Sequence, residues 1–114
     1  MATDRVRGHL DLLLLGVLSD GPHHGYAVIT ALRERSEGAF DLPEGSVYPA
    51  LHRLEDAGLL ASEWQPVAGR RRRVYRLTDR GADALSVERQ DWRALAGAID
   101  AVLRPAPRLA GGLA

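Results

Sequence analysis

Apolar residues fall on nearly every side of the segment from His9 to Ser19, where Leu10, Leu12, Leu13, Leu14, Leu15, Val17 and Leu18 leave little polar surface. This pattern predicts a helix enclosed by its neighbours. Gly16 offers room for another helix to approach, and Asp20-Gly21-Pro22 ends the run. A second helix is expected from about Gly25 to Ser36, with an apolar face of Tyr26, Val28, Ile29, Ala31 and Leu32, and Arg33, Glu34 and Arg35 pointing outward at its end. Phe40, Leu42 and Pro43 then read as an extended link, with Phe40 plugging the core. A third helix begins near Glu44 or Gly45 and ends at Gly58. In it Val47, Ala50, Leu51, Leu54 and Ala57 recur at spacings of three and four. Its other face carries Ser46, Pro49, His52, Arg53 and Asp56, and Tyr48 stands at the border. Pro49 is unfavourable deep inside a helix, but its cost falls if it lies within the first turn or so.

Beyond Gly58 the period changes to two. Leu60, Ser62 and Trp64 alternate with Ala61, Glu63 and Gln65 as far as Pro66, Val67-Ala68-Gly69 reads as a loop tip, and Arg71 to Thr78 as a returning strand. Tyr75 and Leu77 are expected to face inward, with Trp64 packed beneath the hairpin. Thr78 then caps a long helix over Asp79 to Leu103. Leu85, Trp92 and Ile99 are spaced by seven along it, with Glu88, Leu95 and Val102 between them. Such a heptad seam runs beyond what a small three-helix core can cover. The order is helix, helix, helix, strand, strand, long helix: a mainly α fold with a small β-hairpin. We read it as a winged helix-turn-helix domain over residues 1–78, a dimerisation helix over 79–103 and a flexible tail over 104–114.

Composition changes this picture in two places. The chain has 114 residues, 46% hydrophobic and 26% charged, which suits one globular domain. It has no cysteine, so a disulfide framework and a thiolate metal site are both excluded. The apolar run at Leu10–Leu18 contains Asp11 and is too short for a membrane span, so no membrane partner is expected and the cytoplasm, at the nucleoid, is the expected location. Formal net charge is zero, but every basic residue is an arginine and four stand together at Arg70, Arg71, Arg72 and Arg73. A neutral protein with one dense positive patch still attracts phosphate, because the local field governs the encounter. The adjacent His23-His24 has no cysteine or carboxylate cluster near it and reads as turn residues rather than metal ligands, and no cofactor is expected. No nucleophile–base pairing or phosphate loop suggests an enzyme.

Five motifs in series carry a resemblance: Leu12-Leu13-Leu14-Leu15-Gly16, Gly21-Pro22-His23-His24-Gly25-Tyr26, Gly45-Ser46-Val47-Tyr48-Pro49-Ala50-Leu51, Leu54-Glu55-Asp56-Ala57-Gly58-Leu59-Leu60 and Tyr75-Arg76-Leu77-Thr78-Asp79-Arg80-Gly81. In this order and spacing the chain resembles the PadR family of bacterial transcriptional regulators, in its short branch with a single C-terminal helix. Ser46 and Val47 stand where threonine and leucine are common in the family. The resemblance implies a winged-helix homodimer joined mainly through the last helix, with a contribution from the N-terminal segment. It also implies a repressor that leaves its operator when a small hydrophobic or aromatic effector binds.

In helix-turn-helix geometry the third helix enters the major groove. Ser46, His52 and Arg53 then reach base edges, Pro49 meets a thymine methyl, and Tyr26 and Tyr48 offer hydroxyls to phosphates. Arg70 to Arg73 follow the backbone or enter the minor groove. A twofold dimer on double-stranded DNA, with third helices about 34 Å apart, calls for a near-palindromic operator. Ser46 also has a local reading, as a hydroxyl bonded to its own backbone, and Tyr48 one as a packing residue. Trp92 resembles the tryptophan that lines a flat ligand pocket in a multidrug-sensing branch, with Leu95, Ala96 and Ile99 as neighbours; it reads equally as plain dimer core. Leu85, Trp92, Leu95, Ala96, Ile99 and Val102 are therefore the expected effector or dimer surface. The competing reading is a winged-helix module for protein interaction without specific DNA readout.

Overall fold

The computed structural model describes residues 9–107. The expected role of the N-terminal segment before His9, and of the tail beyond residue 107, concerns residues outside that range. The elements are α1 (Leu10–Leu18), β1 (His23–His24), α2 (Gly25–Arg35), α3 (Glu44–Asp56), β2 (Leu60–Val67), β3 (Arg70–Leu77) and α4 (Asp79–Leu103).

The all-round apolar character of α1 has its expected consequence: Leu14, Leu15, Val17 and Leu18 are buried at the centre of the core. Val28, Ile29 and Leu32 of α2 close on them, as do Val47, Ala50, Leu51 and Leu54 of α3. Phe40 is half-buried and packs against this cluster from the α2–α3 link. Gly16 departs from expectation, since a Cβ there would meet nothing within 4 Å. Among the described residues, no helix uses the space it leaves.

Chain ends of the helices follow local chemistry. His24 is extended, and its Nδ1 accepts the Ala27 N–H at 3.2 Å, capping α2. α3 stops at a left-handed Gly58 with φ +80, the Leu59 N–H reaching back to the Leu54 carbonyl and the Gly58 N–H to that of Glu55. That pair of bonds satisfies two of the helix's last carbonyls.

The sheet has strand order β1-β3-β2 and is antiparallel throughout. Leu60 pairs with Leu77, Ser62 with Tyr75 and Trp64 with Arg73. The hairpin turns on Ala68-Gly69, whose φ values of 51 and 79 are those of a tight two-residue turn. β2 therefore includes Val67, and β3 starts and ends one residue earlier than the alternation suggested. β1 was not expected. His23 pairs with Tyr75 and His24 with Val74, so the two histidines read as turn residues form a short edge strand. Two residues carry no period to read.

Thr78 anchors α4 with three bonds. Its Oγ1 accepts the Gly81 N–H at 3.0 Å and donates to the Gly58 carbonyl at 2.7 Å, while its own N–H donates to the Leu59 carbonyl at 3.2 Å. Only Gly81 and Leu85 of this helix are buried. The remainder projects, giving a molecule of 71 × 28 × 21 Å. The heptad spacing assigns Leu85 to the seam offered to a partner or effector. It is 4% exposed and belongs to this chain's own core, so the free seam begins one heptad later.

Candidate nucleic-acid interface

The core claims one side of α3, and what remains outward is an exposed stripe of Gly45, Pro49, His52, Arg53 and Asp56, flanked by half-buried Ser46 and Tyr48. Pro49 has no N–H to give the Gly45 carbonyl, so an acceptor is left within this stripe. Tyr26 is exposed in the first turn of α2. Tyr48 does have a packing role: its ring lies so close over buried Gly25 that a Cβ there would overlap it, with Cζ at 2.9 Å and Cδ1 at 3.0 Å.

The two flanks of α3 are tied down by opposite means. Toward α1, Arg53 forms a two-pronged bond with Asp11, at 2.7 and 3.1 Å. The hydrogen bond and charge of Asp11 push the Arg53 titration further up. The guanidinium expected to read a base is therefore engaged within the chain, through a carboxylate 42 positions away that no local pattern connects to it. Toward the hairpin, Glu55 accepts the Ser62 hydroxyl at 2.5 Å and lies 3.5 Å from Arg73. The His52 ring turns the same way, 6.4 Å from that of Tyr75. Tyr75 is buried, and its hydroxyl is pushed up by that burial and by the Glu55 charge, against an opposing pull from Arg73.

Trp64 is a correction. Instead of packing beneath the hairpin it is 55% exposed, with the guanidiniums of Arg71 and Arg73 at 5.6 and 5.7 Å from its ring. Its alternation with Leu60 and Ser62 is as expected, but the hairpin extends past the core, so an inward position near its outer end has no core to reach. Between α3 and the hairpin lies an open cleft of about 600 Å³, walled by Tyr48 and His52 on one side and Trp64 and Arg71 to Arg73 on the other. His24 also lines it, its titration pushed down by burial first, then by the charges of Arg72 and His23. Arg70 is exposed beside the turn. Sequence reasoning gave no site role to Asp11, His24, Glu55 or Trp64. Only Glu55, three residues after His52, carried a local signal of its place.

Along α4 the seam residues Trp92, Leu95, Ile99 and Val102 are exposed and Ala96 is half-buried. His9 meets the Trp92 ring edge-on at 5.2 Å, with Leu12, Glu88 and Asp91 around a shallow recess of about 170 Å³. Among the described residues, no three of His, Cys, Asp and Glu converge as a metal ion would require, and no helix is long and apolar enough to cross a membrane.

The profile of the Transcriptional regulator PadR-like family matches residues 14–87. The transcriptional regulator Rv3488 of Mycobacterium tuberculosis is 42% identical over 90 residues, 79% of this chain and 81% of that protein. A PadR family regulator of Clostridium difficile superposes with a TM-score of 0.75 at 34% identity, covering 84% of this chain and 99% of that one. A PadR-like regulator of Bacillus cereus gives 0.80 at 26% identity, covering 90% and 99%.

Proposed function

The chain belongs to the PadR-like family of transcriptional regulators, and on that premise we propose that it is a sequence-specific DNA-binding homodimer acting as a repressor. The family consists of regulators and not enzymes. The observation that carries the reading is that the outward stripe of α3 and the four-arginine hairpin flank one open cleft. A helix seated in the major groove through Gly45, Ser46, Pro49 and His52 then lays Arg70 to Arg73 on the adjacent backbone and minor groove. Tyr26, at the start of α2, meets a flanking phosphate.

The dimer forms by pairing of α4. Trp92, Leu95, Ile99 and Val102 form an exposed apolar stripe along a projecting helix, which pairing with a second copy covers. Pairing it sets the two α3 helices for a near-palindromic operator. A small hydrophobic or aromatic effector that parts or tilts the paired helices at Trp92 changes that spacing and releases the DNA.

Fluorescence polarisation tests the reading. Purified protein is titrated onto duplexes enriched from a random pool and onto scrambled controls, at several salt concentrations. Selective binding is expected, with the slope of log affinity on log salt flattening by about 0.9 for each wing arginine removed. Equal, weak binding to every duplex after enrichment would remove DNA readout and favour a protein-interaction module.

A further inference from the structure

We propose that Trp64 is a positioning residue for the DNA contact: its ring holds Arg71 and Arg73 on the α3 side of the wing, so that their donors are in register with α3 before DNA arrives. The inference rests on the regulator reading. Trp64 stands directly opposite Arg73 across the hairpin, and Pro66 opposite Arg71. Alternation therefore puts the indole and both guanidiniums on one face of the sheet, with Arg71 diagonal to Trp64 and within reach of a large ring. The guanidinium carbons of Arg71 and Arg73 lie 5.6 and 5.7 Å from the ring centroid, inside the range of a cation–π contact. Arg73 goes on to Glu55 of α3, 3.5 Å away, and Glu55 also accepts the Ser62 hydroxyl. One chain of contacts thus runs from α3 through Arg73 and Trp64 to Arg71 near the tip of the wing.

The gain is in entropy and in charge. A free arginine loses much rotamer freedom when it binds a phosphate. One already laid on a ring has lost part of it, while the N–H donors at the edge of its plane stay open to a partner. Two arginines on one face also repel each other, and the negative face of the ring offsets that. Among the described residues Arg71 forms no ion pair, so its donors are uncommitted. Trp64 itself is 55% exposed and adds little to the core.

Two bulky replacements separate the roles. Trp64→Phe keeps a ring face, whereas Trp64→Leu keeps apolar volume without one. Both should unfold within about 3 °C of the unchanged protein, because the position lies outside the core. In the DNA-free protein, ring currents should move the side-chain δ-methylene NMR signals of Arg71 and Arg73 upfield, with Arg71→Lys and Arg73→Lys providing the assignments. Trp64→Phe should keep part of that shift and Trp64→Leu should lose it. In polarisation on the enriched duplex, Trp64→Phe should stay within about twofold of the unchanged protein and Trp64→Leu should bind about fivefold more weakly, although neither alters the charge. Full affinity in Trp64→Leu would overturn the proposal, as would equal weakness in Trp64→Phe, which would mean that the indole N–H itself holds DNA. Selective binding with unshifted arginine signals removes this proposal and keeps the regulator reading. Shifted signals with no selective duplex remove the regulator reading, and with it the part of Trp64 in DNA contact.

Discussion

Gly81 and Gly97 lie on the same helix, and the same substitution at each should have opposite effects. Gly81, in the first turn of α4, faces the base of the hairpin. A Cβ there would overlap the Leu59 carbonyl oxygen, with the Leu59 carbonyl carbon at 3.0 Å and Leu77 Cδ2 at 2.9 Å. The obstruction is backbone, and that carbonyl also accepts the Thr78 N–H. Relief therefore requires α4 to tilt or that bond to break. Overpacking costs about 1–3 kcal/mol and the lost hydrogen bond about 1. Alanine returns about 1 kcal/mol in helix propensity. Gly81→Ala should thus destabilise by about 2 kcal/mol, lowering Tm by roughly 10 °C for a domain of this size. At Gly97 a Cβ meets nothing within 4 Å, so only propensity acts and Tm should rise by about 3–5 °C. Thermal unfolding by circular dichroism at one fixed protein concentration reads both, since a dimer's Tm depends on concentration. If Gly81→Ala proves as stable as Gly97→Ala, α4 does not leave the wing where the structure has it, and the spacing argued for the dimer loses its foundation.

Three further outcomes follow from the same contacts. His24 caps α2 through an unprotonated Nδ1 and its pKa lies below 6.5; the unfolded chain then binds the proton more readily. Stability is full above pH 6.5 and falls as pH drops through that value toward the folded pKa, a loss that His24→Asn should remove from a urea-unfolding series. Asp11→Asn should release Arg53, costing about 0.5 kcal/mol of stability for so exposed a pair while tightening operator binding several-fold and steepening its salt slope by about 0.9; unchanged affinity would mean Arg53 does not reach DNA. Ile99→Asp places a charge in the free seam of α4 and should give a folded monomer by sedimentation with unchanged helicity, because Ile99 contributes nothing to this chain's own core.

Much of the architecture is legible in the residues because its causes are local or periodic. The spacing of three and four in Val47, Ala50, Leu51 and Leu54 defines α3 and its outward stripe, and the alternation from Leu60 to Gln65 gives β2. Thr78 marks the start of α4, because a hydroxyl cap acts within four residues. The arginine run at Arg70 to Arg73 and the seam at Trp92, Leu95, Ile99 and Val102 are equally plain in the sequence. Tertiary structure alone decided which of these groups are free. Arg53 is engaged because α1 brings Asp11 beside it, and Trp64 is open because the hairpin outruns the core. Leu85 is core because α4 is still in contact with the domain there. His23 and His24 become a strand only because Val74 and Tyr75 offer an edge. Local chemistry fixes what a residue can do, whereas its availability depends on partners distant in the chain, and those become neighbours only when the core has closed.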